Sequence, residues 1–74
     1  MSGAVVVLTV DHHRRQVVVS GQGVLDLPEL AGVPYRVTAA GSIVVALDAL
    51  GDIEAAAAIR RRPVRLQTRR EATR

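Results

Sequence analysis

Few residues in this sequence are of the types that carry covalent or metal chemistry, and their spacing argues against most of it. Asp11, His12 and His13 place three potential metal ligands in a row. Adjacent histidines on a strand point to opposite faces, and a zinc site needs further ligands arriving from elsewhere. The chain has no Cys to supply them, which also excludes disulfides, iron–sulfur clusters and thiol catalysis. The triplet reads as a polar hairpin tip, and neither a metal nor another cofactor is expected. Asp26 and Glu29 could form a carboxylate pair for general acid–base work. They flank Pro28 with no His nearby in sequence, so they read as loop charge. Ser20 and Ser42 lack the Gly-x-Ser-x-Gly elbow of an activated nucleophile. Gly21-Gln22-Gly23 lacks the spacing of a phosphate loop, and no Lys exists to reach a phosphate. A chain of 74 residues also has little room for a pocket of several hundred Å³. The protein is therefore expected not to be an enzyme.

The chemistry that remains is ionic. Residues 1–59 carry three Arg and six acids, a net charge of −3, whereas residues 60–74 carry seven Arg and one acid, a net charge of +6. Such a concentrated positive field could contact several phosphates or an acidic protein surface. The candidate anion-binding residues are Arg60, Arg61, Arg62, Arg65, Arg69 and Arg70. Single-strand binders stack bases on aromatic rings, and Tyr35 is the only aromatic residue here. Duplex nucleic acid, met through its backbone, is therefore the better form of that partner. Lys, Asn and Phe are all absent. Their codons are AT-rich, so a GC-rich gene explains the use of Arg over Lys without appeal to function.

The elements that must position these residues are short. Residues 4–10 are apolar and mostly β-branched and read as a strand. Residues 15–20 read as a second strand, with Asp11–Arg14 at the tip of the hairpin between them. Val24–Leu27 is expected as a short third strand ended by Pro28, and Glu29–Pro34 as a loop broken by Gly32 and Pro34. Tyr35–Ala39 and Ile43–Leu47 form two further strands around a Gly41-Ser42 turn. Asp52 is placed as the N-cap of a helix through the Ala55–Ala58 run. Arg60, Arg61 and Arg62 are expected in its last turn, and Pro63 stops it. Val64, Leu66 and Thr68 alternate with Arg65 and Gln67 as a last strand.

The expected fold class is α+β: a small, mostly antiparallel sheet or open barrel of about five to six short strands, with one C-terminal helix. Residues 1–68 form the domain and 69–74 a basic C-terminal tail. The run Gly3–Val10 is too short to span a bilayer and lacks a basic leader, so no membrane is expected and the location is read as cytoplasmic, cellular or viral.

The first strand is apolar on both sides: Val5, Val7 and Thr9 point one way, and Ala4, Val6, Leu8 and Val10 the other. One helix of about ten residues, roughly 15 Å long, covers only one face. A chain this small, with no disulfide, has oligomerisation as its remaining source of stability. Val5, Val6, Val7, Leu8 and Val10 are accordingly expected to mediate self-association. The reading that follows is a small non-enzymatic homo-oligomer whose Arg-rich end meets an anionic partner, nucleic acid first. The alternative is a structural or assembly protein, a virion or complex component, whose sheet pairs with neighbours and whose Arg tail docks on an acidic protein surface.

Overall fold

The computed structural model describes residues 5–69. Five strands run as β1 (Val6–Asp11), β2 (Gln16–Ser20), β3 (Arg36–Val37), β4 (Ile43–Ala46) and β5 (Val64–Thr68), with helices α1 (Asp26–Ala31) and α2 (Leu50–Ile59) between them. They form one open, mixed sheet in the order β3-β4-β2-β1-β5. It does not close into a barrel, and the two edges, β3 and β5, lie at opposite ends.

The Val-rich hairpin forms the centre. β1 and β2 pair antiparallel, with Thr9 opposite Val18 and Asp11 opposite Gln16. At the tip the Asp11 carboxylate accepts the Arg14 backbone N–H at 3.1 Å, an Asx-type bond that fixes the turn. β4 adds to β2 antiparallel and β3 to β4. β5 lies parallel to β1, the single parallel pairing in a sheet that is otherwise antiparallel, as expected. The reason is the connection. α2 carries the chain back across one face of the sheet, and such a crossover returns a strand in the direction it left.

The core is one-sided. Val6, Leu8, Val10, Val17, Val19, Ile43 and Val45 alternate along the three central strands and pack against Val24, Leu27, Ile53, Ala56 and Ala57. With no buried aromatic, the layers close through small residues. Ala56 and Ala57 leave no bulk between the α2 backbone and the sheet.

Two expectations fail locally. Val24–Leu27 is not a strand, and Glu29–Pro34 is not all loop, because Asp26–Ala31 is helical. Pro28 is the third residue of α1, where the missing N–H has no helical partner to lose. Gly32 then ends the helix in the left-handed region, its N–H reaching the carbonyls of Pro28 and Glu29. A six-residue helix is not stable alone. Leu27, fully buried, is what holds it to the core.

Asp52 is not the N-cap of α2. A single 3-10 turn, Leu47–Ala49, leads directly into the helix, and Asp52 lies inside the first turn. The last turn holds no basic residue. Arg60 caps the helix and the chain reverses at Arg61, with φ at 55°. The Arg61 N–H meets the Ala58 carbonyl at 3.0 Å and the Arg62 N–H meets that of Ala57 at 2.9 Å. This nested pair is the Schellman closure, usually built on Gly.

Two substitutions test this backbone. A Cβ at Gly21 (φ 129°) would stand 2.6 Å from the Val5 carbonyl oxygen. Gly21→Ala should lower stability by about 2 kcal/mol, a Tm drop of roughly 8–16 °C for so small a domain. Arg61→Gly removes a left-handed non-glycine residue and should raise stability by about 0.5–1 kcal/mol. Thermal unfolding by circular dichroism reads both.

Candidate anion-binding face

Cross-strand register makes the face away from the helices legible row by row. One row runs Arg36, Val44, Val18, Thr9, Gln67 across all five strands. A second runs Arg65, Val7, Ser20. The Gln67 amide donates to the Thr9 hydroxyl at 3.0 Å, which confirms that β5 shares this face. No helix of the described chain covers these rows, and Val7, Thr9, Gln16, Val18 and Ser20 are only half-buried.

Charge separates by layer. Asp26, Glu29, Asp48, Asp52 and Glu54 all lie on α1, the 3-10 turn or α2. Asp11 is buried at the hairpin tip. The eight Arg among the described residues all lie outside the helices: Arg14 and Arg15 at the hairpin tip, Arg36 on β3, Arg60, Arg61 and Arg62 in the turn after α2, Arg65 on β5 and Arg69 just beyond it.

The described C-terminal arginines therefore do not lie together in one place. Arg65 projects from the bare face, and the alternation puts Arg69 on that side too. The Arg69 N–H meets the Val10 carbonyl at 2.8 Å, one residue past the end of β5. Arg60 and Arg61 are exposed. Arg62 is half-buried and already engaged: its guanidinium donates to the carbonyls of Gly23, at 2.8 Å, and Gln22. It ties the turn after α2 to the turn after β2. Arg70 lies outside the described residues.

The structure also gathers residues that sequence spacing did not. Arg14, Arg15 and Arg36 line one open cleft of about 550 Å³, with Tyr35 beside them and Asp48 and Asp52 at its α2 side. Its floor is Val44, Val45 and Ala46. The cleft exists because β3 is two residues long and its ladder with β4 stops at the Arg36–Val44 pair. Beyond that pair Pro34 and Tyr35 lead away, and the Tyr35 hydroxyl donates to the Glu29 carboxylate at 3.4 Å. Arg15 adopts φ 54°, the left-handed step that closes a four-residue hairpin loop, and its carbonyl accepts the Leu47 N–H at 3.0 Å. Only the alternation of Arg36 with Val37 hinted at this cluster. His12 and His13 are exposed at the tip, and among the described residues no three His, Asp or Glu side chains are grouped to hold a metal ion.

The expected self-association residues divide. Val6, Leu8 and Val10 lie beneath the chain's own helices. Val5 is exposed and Val7 half-buried on the bare face. Both edges of β1 are occupied, by β2 and β5. Among the described residues no helix is long and apolar enough to cross a membrane. Compared with known protein families, curated proteins and solved structures, the chain matches none.

Arg62 should behave unlike its neighbours. Arg62→Ala should cost about 1 kcal/mol through the lost charge-assisted hydrogen bonds. Arg60→Ala should stay within about 0.5 kcal/mol of the parent. Urea unfolding of the two variants checks the contrast.

Proposed function

We propose that this chain is a non-enzymatic, self-associating module whose bare sheet face contacts an anionic partner, duplex nucleic acid foremost. The observation that supports it is the separation of charge by layer. Every carboxylate carried by an exposed described residue belongs to the helical side, and Arg36, Arg65 and Arg69 border the other face. From β3 to β5 the sheet spans four inter-strand steps, about 19 Å. That exceeds the roughly 12 Å width of a major groove, so arginines at its two edges can meet phosphates on both sides of one. The face between them is Val, Thr, Ser and Gln, without an aromatic platform for unstacked bases. Contacts of this kind hold a protein on a duplex without reading its sequence. Arg60 and Arg61, exposed in the turn after α2, add positive charge just before β5.

Fluorescence anisotropy with a labelled duplex DNA, over about 50 to 300 mM salt, tests this reading. The full chain should show a log–log salt slope of several units. Arg36→Ala, Arg65→Ala and Arg69→Ala should each reduce it by about 0.9, while Arg62→Ala should not change it beyond its effect on folding. Absence of binding at the lowest salt overturns the nucleic-acid reading.

A further inference from the structure

The two edges of the sheet are not alike. β3 is two residues long and is followed in the sheet plane by a cleft, the kind of blunt edge that resists pairing. β5 is five residues long, and every one of them is exposed. Its hydrogen-bond parity is settled by its two ends: the Val6 N–H meets the Pro63 carbonyl at 2.9 Å, and the Arg69 N–H meets the Val10 carbonyl at 2.8 Å. In a parallel ladder the odd residues from Pro63 to Arg69 therefore bond inward to β1. The N–H and C=O groups of Val64, Leu66 and Thr68 point out from the sheet. Their side chains share the helix-side face with Val6, Leu8 and Val10, yet the helices do not reach them. Leu66 is 54% exposed and Val64 37%.

We infer that the partner of this edge is a second copy of the same edge, paired antiparallel about a two-fold axis through Leu66. This rests on the self-associating reading above and moves the contact from β1 to β5. Charge selects the register. Outward groups sit only on even residues, so the symmetric pairings that use them centre on residue 65, 66 or 67. Centring on 65 places Arg65 against Arg65 of the other copy, and centring on 67 places Arg65 against Arg69. Like charges directly opposite are destabilising. Centring on Leu66 sets Arg65 against Gln67 and Arg69 against Pro63. Val64 then bonds to Thr68 and Leu66 to Leu66. About six backbone hydrogen bonds form, and every free group of the strand is used. The two Leu66 side chains meet on the helix side of the sheet, in the stretch that neither copy's helices reach. A two-fold contact of this kind closes on itself. It also brings Arg65 and Arg69 of both copies onto one bare face, doubling the strip available to a polyanion.

The chain has no Cys, so single-Cys variants of the full-length protein report the register directly. A hydrogen-bonded antiparallel pair has its Cα atoms about 5.5 Å apart, within disulfide range. Leu66→Cys should form disulfide dimers under mild oxidation. Val64→Cys and Thr68→Cys should each fail alone and cross-link when mixed. Gel filtration with light scattering should give twice the 7.9 kDa chain mass for the parent. Leu66→Lys should raise the dimer dissociation constant at least tenfold, with an unchanged circular dichroism spectrum. Gln67→Arg should weaken the dimer and Gln67→Glu tighten it, because residue 67 faces Arg65 of the partner. A parent that is monomeric at every concentration overturns both this inference and the self-association reading. A dimer that survives Leu66→Lys and does not cross-link at Leu66→Cys overturns this inference alone. So does efficient cross-linking of Thr68→Cys with itself.

Discussion

The structure depends on how far one thin helical layer reaches across the sheet. The helix-side row Leu66, Leu8, Val19, Ile43, Val37 shows the limit. Its three central residues are fully buried, while Leu66 and Val37 at its ends are more than half exposed. α1 is roughly 9 Å long and α2 roughly 15 Å. Together they cover β1, β2 and β4 and leave both edge strands bare. Burial is therefore concentrated on aliphatic side chains of the centre, and Ala56 and Ala57 let the layers approach closely enough to exclude water without aromatic bulk.

That reach explains the charge layout. Acids occupy the helical elements because their exposed sides face solvent and the first turns favour negative charge. Arginines occupy the hairpin tip, the sheet edges and the turn after α2, where a long side chain keeps its cationic head hydrated. Arg62 is the exception that holds the scaffold together. It serves a pair of carbonyls in the turn after β2, and the neighbouring Arg61 closes the helix in a conformation that Gly would adopt more readily. An arginine run that looks uniform in sequence thus contains a helix terminator, a structural clamp and surface charge.

The two edges of the sheet illustrate opposite treatments of exposed ladder groups. β3 is cut short, and its early end opens the cleft that gathers Arg14, Arg15, Arg36 and Tyr35. β5 stays long and regular, with its apolar side chains on one face and its arginines on the other. Edge pairing and anion contact thus draw on different groups of the same strand, backbone and leucine for the first, guanidinium for the second.

Much of the secondary structure was legible from local pattern alone. The β-branched runs of β1 and β2, the Ala-rich helix and the alternation of Val64, Leu66 and Thr68 each depend on chemistry within a few residues, whereas α2 ends at Ile59, before the stop expected at Pro63. The α+β class depends on the same local chemistry. The α1 helix was not legible, because Pro28 and Gly32 look like breakers and act instead as a first-turn residue and a left-handed cap. The start of α2 was obscured by the 3-10 turn before Asp52. Above all, sequence alone determined that both sides of β1 are apolar and that positive charge gathers near the C-terminus. Only the tertiary structure decided that β5 lies parallel beside β1, which of its groups face outward, and which arginines share a face. Strand order and register are set by the crossover of α2 and by which side chains the helices bury, and both are contacts between residues far apart in the chain.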